Sequence, residues 1–247
     1  MFIHCKLVLL ILVLTLYGQV HTGKINGGHE AKPHSRPYMV ILERHMQNGK
    51  KLFCDGFLLN EEFVMTAAHC QARSFTVLLG VHDVKNRSER QDLAVKQTFP
   101  HKDYKANTLK NDIMLLKLSS KAKFGKNVRP VALAGKDDAS LPKSCILSGW
   151  GATDRINNYM SRVLMEANVT LIDNVWCRND NLYCSEGETG PGKGDSGGPL
   201  ICEDEKAYGV VSFTYTPSSG GKLIHAYTKI PDDRSWIDLM MKHHGKL

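Results

Sequence analysis

Short apolar runs, several of them alternating with polar positions, recur along most of the chain and are separated by turn residues. The clearest runs cover residues 38–42, 57–59, 75–79, 113–118 and 207–213. Runs of this length and spacing are typical of antiparallel strands, whereas alternation of strands with long helices would give longer helical patterns. The pattern therefore predicts an all-β sandwich or barrel, and no internal repeat or long linker interrupts it.

The C-terminal segment 232–244 has a different period. Trp236, Ile237, Met240 and Met241 lie at helical spacing, and the basic residues that end the segment favour a helix C-terminus. We expect a C-terminal helix that docks on the rest of the protein through its apolar side chains.

The N-terminal segment predicts export from the cell. Lys6 precedes an apolar run at 7–16 that is too short to span a bilayer and has the form of a secretory signal peptide. Removal of residues 1–22 would leave the dipeptide 23–24 ahead of a single domain at 25–247. We expect a secreted product without a membrane span, since no later run is long enough to cross a bilayer.

The chain contains seven cysteines, and Cys5 would leave with the signal peptide, so that six remain. An even number in a secreted chain predicts disulfides, but six cysteines allow 15 pairings among which the sequence alone does not choose. No two cysteines have the two-residue spacing of a zinc site, and no histidine cluster complements them. We expect neither a metal nor another cofactor.

Three motifs carry candidate chemistry. The segment GDSGGP exposes Ser196 as a nucleophile, TAAHC supplies His69, and NDIMLL supplies Asp112 at the head of an apolar run. Because a serine hydroxyl is a poor nucleophile at neutral pH, His69 would take its proton during attack and return it to the leaving amine. A buried Asp112 would hold the imidazole in the required tautomer. The backbone N–H groups of Gly194 and Ser196 would stabilise the oxyanion.

These motifs and their order resemble those of chymotrypsin-fold serine proteases. Further matches are INGG at 25–28, SGWG at 148–151, VSF at 211–213 and WI at 236–237. The segment GHEAKPHSRPYMV at 28–40 resembles the granzyme, mast-cell chymase and cathepsin G branch. The resemblance implies two antiparallel six-stranded β-barrels with the active cleft between them. His69 and Asp112 would then come from the first barrel and Ser196 from the second.

The resemblance also implies three disulfides and an activation step. The pairs would be Cys54 with Cys70, Cys145 with Cys202, and Cys177 with Cys184. Once Gly23 and Lys24 are removed, the new α-amino group of Ile25 would insert beside Asp195 and order the oxyanion hole. Asn26 stands where relatives usually have an apolar second residue. Either a dipeptidyl peptidase or a trypsin-like enzyme would remove the dipeptide, and the sequence does not decide between them.

The residues that match the specificity pocket depart from the trypsin-like pattern. Gly190 stands where trypsin-like members have an aspartate, so cleavage after Arg or Lys is not expected. Thr214 stands where most members have glycine after Ser212 and Phe213. Together with Gly190 and Pro191, Thr214 indicates a shallow pocket for small or medium apolar residues.

Two basic positions leave alternatives open. His225, at the back wall of the pocket, would either accept an acidic substrate side chain when protonated or fill space as a neutral ring. Lys193, beside the oxyanion glycine, would either favour acidic residues on the leaving side of the scissile bond or be an ordinary solvated lysine.

The formal net charge is +7, with basic clusters at 121–126 and 242–246. These clusters either bind sulfated glycosaminoglycans or proteoglycan, or simply keep the surface solvated. We do not expect nucleic-acid binding, because aromatic residues are not interleaved with the basic ones. Sequons at Asn86 and Asn168 would accept glycans, and Asn86 is favoured because it lies in a charged, loop-like segment.

Two classes of function remain. The first is a monomeric serine endopeptidase, secreted or stored in secretory granules, that cuts protein or peptide substrates and is controlled by protein inhibitors. The second is a catalytically silent protease homologue that binds a partner. The sequence favours the first, because the three triad residues and the oxyanion glycine are all present and silent homologues usually lack one of them.

Overall fold

The structure, a computed structural model, describes residues 25–138, 141–152, 159–218 and 220–245. The expected signal peptide at 1–22, with Cys5, and the dipeptide Gly23-Lys24 lie outside the described residues. Strands dominate the described part of the chain and form two antiparallel barrels. The predicted all-β class and the two-barrel architecture are therefore confirmed.

The first barrel follows a two-residue strand, β1 (His29–Glu30). Its strands are β2 (Met39–His45), β3 (Lys51–Leu58), β4 (Phe63–Thr66), β5 (Ser74–Leu79), β6 (Gln91–Pro100) and β7 (Met114–Leu118). They form a closed barrel in the order β2-β3-β4-β7-β6-β5, and β2 closes it by pairing with both β3 and β5. Leu42, Phe57, Phe63 and Leu79 belong to the hydrophobic core around this barrel and are completely buried.

The second barrel contains the remaining strands. They are β8 (Ser144–Gly149), β9 (Met165–Ile172), β10 (Leu182–Glu186), β11 (Pro199–Cys202), β12 (Ala207–Tyr215) and β13 (Ile224–Lys229). The order is β9-β10-β13-β12-β11-β8, and a further pairing of β8 with β9 closes the six strands. Strand β1 pairs with β9 on the outside. Leu200 and Tyr227 lie in the core of this barrel and have no exposed surface.

The C-terminal helix, α2 (Ile230–His244), begins two residues before the expected segment and contains all of it; a shorter helix, α1 (Val175–Asn179), precedes β10. Helix α2 follows the last strand of the second barrel, and Ile230 and Ile237 are completely buried in a hydrophobic core that consists mostly of first-barrel residues. Lys117 on β7 donates a hydrogen bond to the carbonyl of His244. The helix therefore connects the two barrels. No helix of the described residues has the length and apolarity to cross a membrane.

The apolar runs coincide with strands, and the exceptions have a physical reason. The five runs overlap β2, β3, β5, β7 and β12, as predicted, and the other described strands lie outside these runs. Strand β6 was not predicted, because most of its side chains are exposed or half-buried and it lacks a continuous apolar run. Helix α1 was also missed, since its five residues are too few for a helical period. Its cap, Asn174, accepts hydrogen bonds from the backbone N–H groups of Trp176 and Cys177.

The structure contains the three disulfides that the resemblance implied. Cys54 on β3 is bonded to Cys70 beside His69, Cys145 on β8 to Cys202 on β11, and Cys177 in α1 to Cys184 on β10. All six cysteines are buried. Each bridge therefore joins separate elements within the protein interior.

Replacing Cys145 and Cys202 by alanine should lower stability more than replacing Cys177 and Cys184. The first bridge spans a sequence separation of 57 residues and the second one of 7. The entropy of loop closure in the unfolded chain then corresponds to about 4 kcal/mol for the first bridge and about 2.5 kcal/mol for the second. Urea unfolding of the two double variants measures the difference, and equal losses would contradict this order.

Candidate active site

His69 and Asp112 lie next to strands of the first barrel and are hydrogen-bonded to each other. His69 is in a single 3₁₀ turn (Ala68–Cys70) after β4, and Asp112 lies shortly before β7. The distance from His69 Nδ1 to Asp112 Oδ2 is 2.7 Å, and the backbone N–H of His69 donates to Oδ1 at 2.8 Å. Two bonds to one carboxylate fix the imidazole and leave Nε2 as the nitrogen for proton transfer.

The carboxylate of Asp112 is completely buried. A buried charge requires hydrogen-bond donors around it. Besides His69, Ser212 on β12 of the second barrel donates to Oδ2 at 2.5 Å. Thr228 on β13 donates to the backbone carbonyl of Asp112 at 3.2 Å. Ser212 was predicted only as a pocket residue, and its bond to Asp112 comes from the docking of the two barrels.

Ser196 lies in the turn before β11, in the second barrel, but is tied to the segment that carries His69. Its backbone carbonyl accepts the N–H of Asp55 at 2.8 Å. Asp55 follows Cys54, which is bonded to Cys70 beside His69. The segments that carry Ser196 and His69 are therefore close to each other where the two barrels meet.

Two glycines near Ser196 are required by backbone conformation and by close approach. Gly194 has φ +108° and Gly197 has φ +85°, which L side chains rarely adopt. A Cβ at Gly194 would lie 2.5 Å from Met160 Sδ, and one at Gly197 would lie 2.0 Å from Thr66 Oγ1. Met160, which packs on the predicted oxyanion glycine, was missed, because no motif in the sequence signals it.

The predicted activation residues are both buried. Asp195 is 2% exposed and accepts the backbone N–H groups of Gly151 and Gly192, both at 2.7 Å. Burial raises the pKa of Asp195 to about 6, although these two N–H groups act in the opposite direction. Ile25 has no exposed surface and packs with Met165 and Ala167.

A cavity of about 340 Å³ lies beside Ser196. Of the predicted pocket residues it is lined by Pro191, Lys193, Ser212, Phe213 and Thr214. It is also lined by Asn26, Ala152, Gly192, Val211 and Leu223, which were not predicted as pocket residues. Leu223 directly precedes β13 and belongs to none of the motifs in the sequence, so the fold brings it to the cavity.

His225 and Gly190 are not among the residues that line this cavity. His225 is completely buried, with Nδ1 2.9 Å from Thr214 Oγ1 and Nε2 3.0 Å from the Gly187 carbonyl oxygen. Because a carbonyl only accepts, Nε2 carries the hydrogen, and the Thr214 hydroxyl can donate to Nδ1 of a neutral ring. A Cβ at Gly190 would lie 2.4 Å from Nε2, so the ring occupies the space that a side chain would need.

The other predicted surface sites are accessible. Asn86 and Asn168 are both exposed, the first in a turn and the second on β9. In the basic cluster at 121–126, Lys121 forms an ion pair with Glu61 at 2.9 Å, and neighbouring lysines line a shallow surface cavity. The second cluster, at 242–246, extends beyond the described residues.

Among the described residues, Cys54, His69 and Cys70 are the group of potential metal ligands whose donor atoms lie within 4.8 Å of one another. Both sulfur atoms belong to a disulfide and supply no thiolate to an ion. The group therefore does not fit a metal.

Comparisons with known proteins agree with this arrangement. The family described as Trypsin matches residues 25–237. Mouse granzyme B(G,H) is 39% identical over 250 residues, which cover 96% of this chain and 99% of that protein. Human granzyme B is 38% identical, with the same shares covered. A solved structure described as that of GrC has a TM-score of 0.78 and 37% identity, and it covers 88% of this chain and 99% of its own.

The relatives extend over nearly the full chain, and the family match includes all three motifs around His69, Asp112 and Ser196. Both barrels lie within the matched residues 25–237. The chain therefore belongs to the trypsin family of serine endopeptidases, and it is granzyme-like.

Proposed function

We propose that this protein hydrolyses peptide bonds through a Ser196–His69–Asp112 triad and an acyl-enzyme intermediate. The observation that carries the proposal is the completely buried Asp112 carboxylate, bonded both to His69 Nδ1 and to Ser212 of the other barrel. This geometry supports an oriented general base beside a serine in the GDSGGP segment. It gives no support to the alternative of a catalytically silent binding protein, since such a role has no need of these bonds.

The proposed reaction follows from these contacts. His69 Nε2 takes the Ser196 proton as Oγ attacks the substrate carbonyl, and Asp112 stabilises the imidazolium that forms. The N–H groups of Gly194 and Ser196 donate to the oxyanion. His69 then gives the proton to the leaving amine, which leaves an acyl-enzyme. Water, deprotonated by His69, hydrolyses this ester and restores Ser196.

We further propose that residues 1–22 are removed on secretion and residues 23–24 on activation, leaving a protease domain at 25–247. The buried positions of Ile25 and Asp195 support an N-terminal ammonium that pairs with Asp195. Secretion or granule storage would follow from the expected signal peptide.

For the specificity pocket, we propose small or medium apolar substrate residues. Thr214 lines the cavity beside Ser196, and its hydroxyl is bonded to the completely buried ring of His225 behind it. The carbonyl of Gly187 accepts a hydrogen bond from the other ring nitrogen, so both nitrogens of a neutral His225 have partners. This supports a ring that only fills space. The other hypothesis, an acidic substrate residue held by protonated His225, would require the buried ring to become charged.

Further partners are proposed from the surface. Lys193 is exposed at the cavity and could contact acidic residues on the leaving side of the scissile bond. The basic cluster at 121–126 would attract sulfated glycosaminoglycan in a salt-dependent way. We also propose that Asn86 and Asn168 carry glycans. The protein would be a monomer that is controlled by protein inhibitors.

Changing Ser196→Ala should abolish covalent labelling by a fluorophosphonate probe and lower kcat by about 10⁶. The thermal transition should stay nearly unchanged, because the side chain is lost from a turn and not from a core. Retained labelling would refute Ser196 as the nucleophile. Absence of labelling in the unaltered, activated protein would favour the silent homologue.

Changing Thr214→Gly should increase cleavage after Phe or Leu relative to Ala or Val by about tenfold, since a side chain at the cavity wall is removed. The matched control is Thr214→Val, which keeps the shape but not the hydroxyl bonded to His225. A peptide library digested by both variants measures the change. If Thr214→Gly keeps the original preference, the steric explanation is wrong.

Selectivity for acidic over apolar substrate residues should be independent of pH between about pH 5.5 and 8 if His225 is a neutral filler. Paired peptides that differ only in Glu or Val at the cleaved position measure this ratio. A ratio that rises as the pH falls would show that protonated His225 accepts the acidic side chain.

A further inference from the structure

Asp55 is a buried carboxyl group that the proposed mechanism does not use. It follows Cys54 on β3 and is 1% exposed. Its Oδ2 accepts the backbone N–H of Trp150 at 3.2 Å. Its own backbone N–H donates to the carbonyl of Ser196, and its carbonyl accepts the Thr66 hydroxyl, both at 2.8 Å. A carboxyl group so deeply buried needs a reason, since an unpaired charge there would be costly.

The side chain of Asp55 meets that of Asp195 across Gly149. A Cβ at Gly149 would lie 2.2 Å from Asp195 Oδ1 and 2.4 Å from Asp55 Oδ2, so the two oxygens fill the space on that side of the glycine. The two carboxyl groups are hydrogen-bonded to each other. Carboxylates only accept hydrogen bonds, so one of the pair must hold a proton.

The surrounding donors decide which group holds it. Asp195 accepts the N–H groups of Gly151 and Gly192, both at 2.7 Å, which favour its ionised form. Among the backbone donors of the described residues, the carboxyl group of Asp55 accepts only the longer bond from Trp150. Burial, and then the charge of Asp195, raise the pKa of Asp55 well above its usual range. Asp55 is therefore the donor and Asp195 the acceptor.

We propose that the protonated carboxyl group of Asp55 is a positioning residue that holds Asp195 against Gly151 and Gly192 before the N-terminus at Ile25 is freed. Asp195 lies between Gly194 and Ser196, so its position fixes the peptide units whose N–H groups form the proposed oxyanion hole. The precursor that keeps Gly23-Lys24 should accordingly have partial activity. This inference rests on the proposed function, because it concerns the same oxyanion hole.

The test compares two forms of the protein, one that begins at Gly23 and carries Lys24→Gln to prevent cleavage, and one that begins at Ile25. Each form is made with Asp55, with Asp55→Ala and with Asp55→Asn. The asparagine amide keeps an acceptor for Trp150 and a donor for Asp195, so it replaces the protonated acid. The rate of labelling of Ser196 by a fluorophosphonate probe is measured, together with the thermal transition.

We expect the unaltered precursor to be labelled, and Asp55→Ala to slow its labelling by about tenfold to a hundredfold, as for the loss of a hydrogen bond to a charged group. The form that begins at Ile25 should lose less than about threefold, because its ammonium supplies a charge-assisted partner to Asp195. Asp55→Asn should restore labelling of the precursor. A control variant, Ser148→Ala, removes a neighbouring buried hydroxyl on β8 and should change neither form.

The outcomes separate this inference from the proposed function. An unlabelled precursor beside a labelled Ile25 form would overturn the role of Asp55. Equal loss in both forms of Asp55→Ala, or no rescue by Asp55→Asn, would reduce Asp55 to a packing residue and would also overturn it. Absence of labelling in the unaltered Ile25 form would overturn the proposed function, and this inference with it.

Discussion

The buried carboxylate of Asp112 depends on both barrels at once. Its donors are the backbone and ring of His69 in the first barrel and the hydroxyl of Ser212 in the second. A charge with no exposed surface is tolerated only if donors surround it, and separation of the barrels would remove the donor from Ser212. Helix α2 follows the second barrel and packs its buried isoleucines against the first barrel. The helix therefore also holds the two barrels in position relative to each other.

Two further polar side chains, Asp195 and His225, are also buried and held by hydrogen bonds. Asp195 is held by the backbone of Gly151 and Gly192 and by Asp55, while His225 is held by Thr214 and the Gly187 carbonyl. Each lies where a glycine leaves room for it. Gly149 and Gly190 would otherwise place a Cβ within 2.4 Å of these side chains. The cleft is thus shaped by polar groups that are buried and by glycines that give them space.

Much of the fold follows from local pattern. The run at 113–118 is almost continuously apolar because all five residues of β7 are buried. The helical spacing of Trp236, Ile237, Met240 and Met241 corresponds to α2. Strand β6 escaped prediction because its side chains are mostly exposed, and such a strand has no apolar run to find. The disulfide pairing came from the resemblance, since the cysteine spacing alone allowed 15 pairings.

The sequence by itself determined the strand-rich class, the C-terminal helix and the motifs that contain Ser196, His69 and Asp112, because these depend on short segments and their residue types. The tertiary structure alone decided the bond from Ser212 to Asp112, the position of Leu223 at the cavity and the meeting of Asp55 with Asp195. Ser212 and Asp112 belong to segments far apart in the chain, as do Asp55 and Asp195. Their approach depends on how the barrels close and dock, which no local pattern encodes.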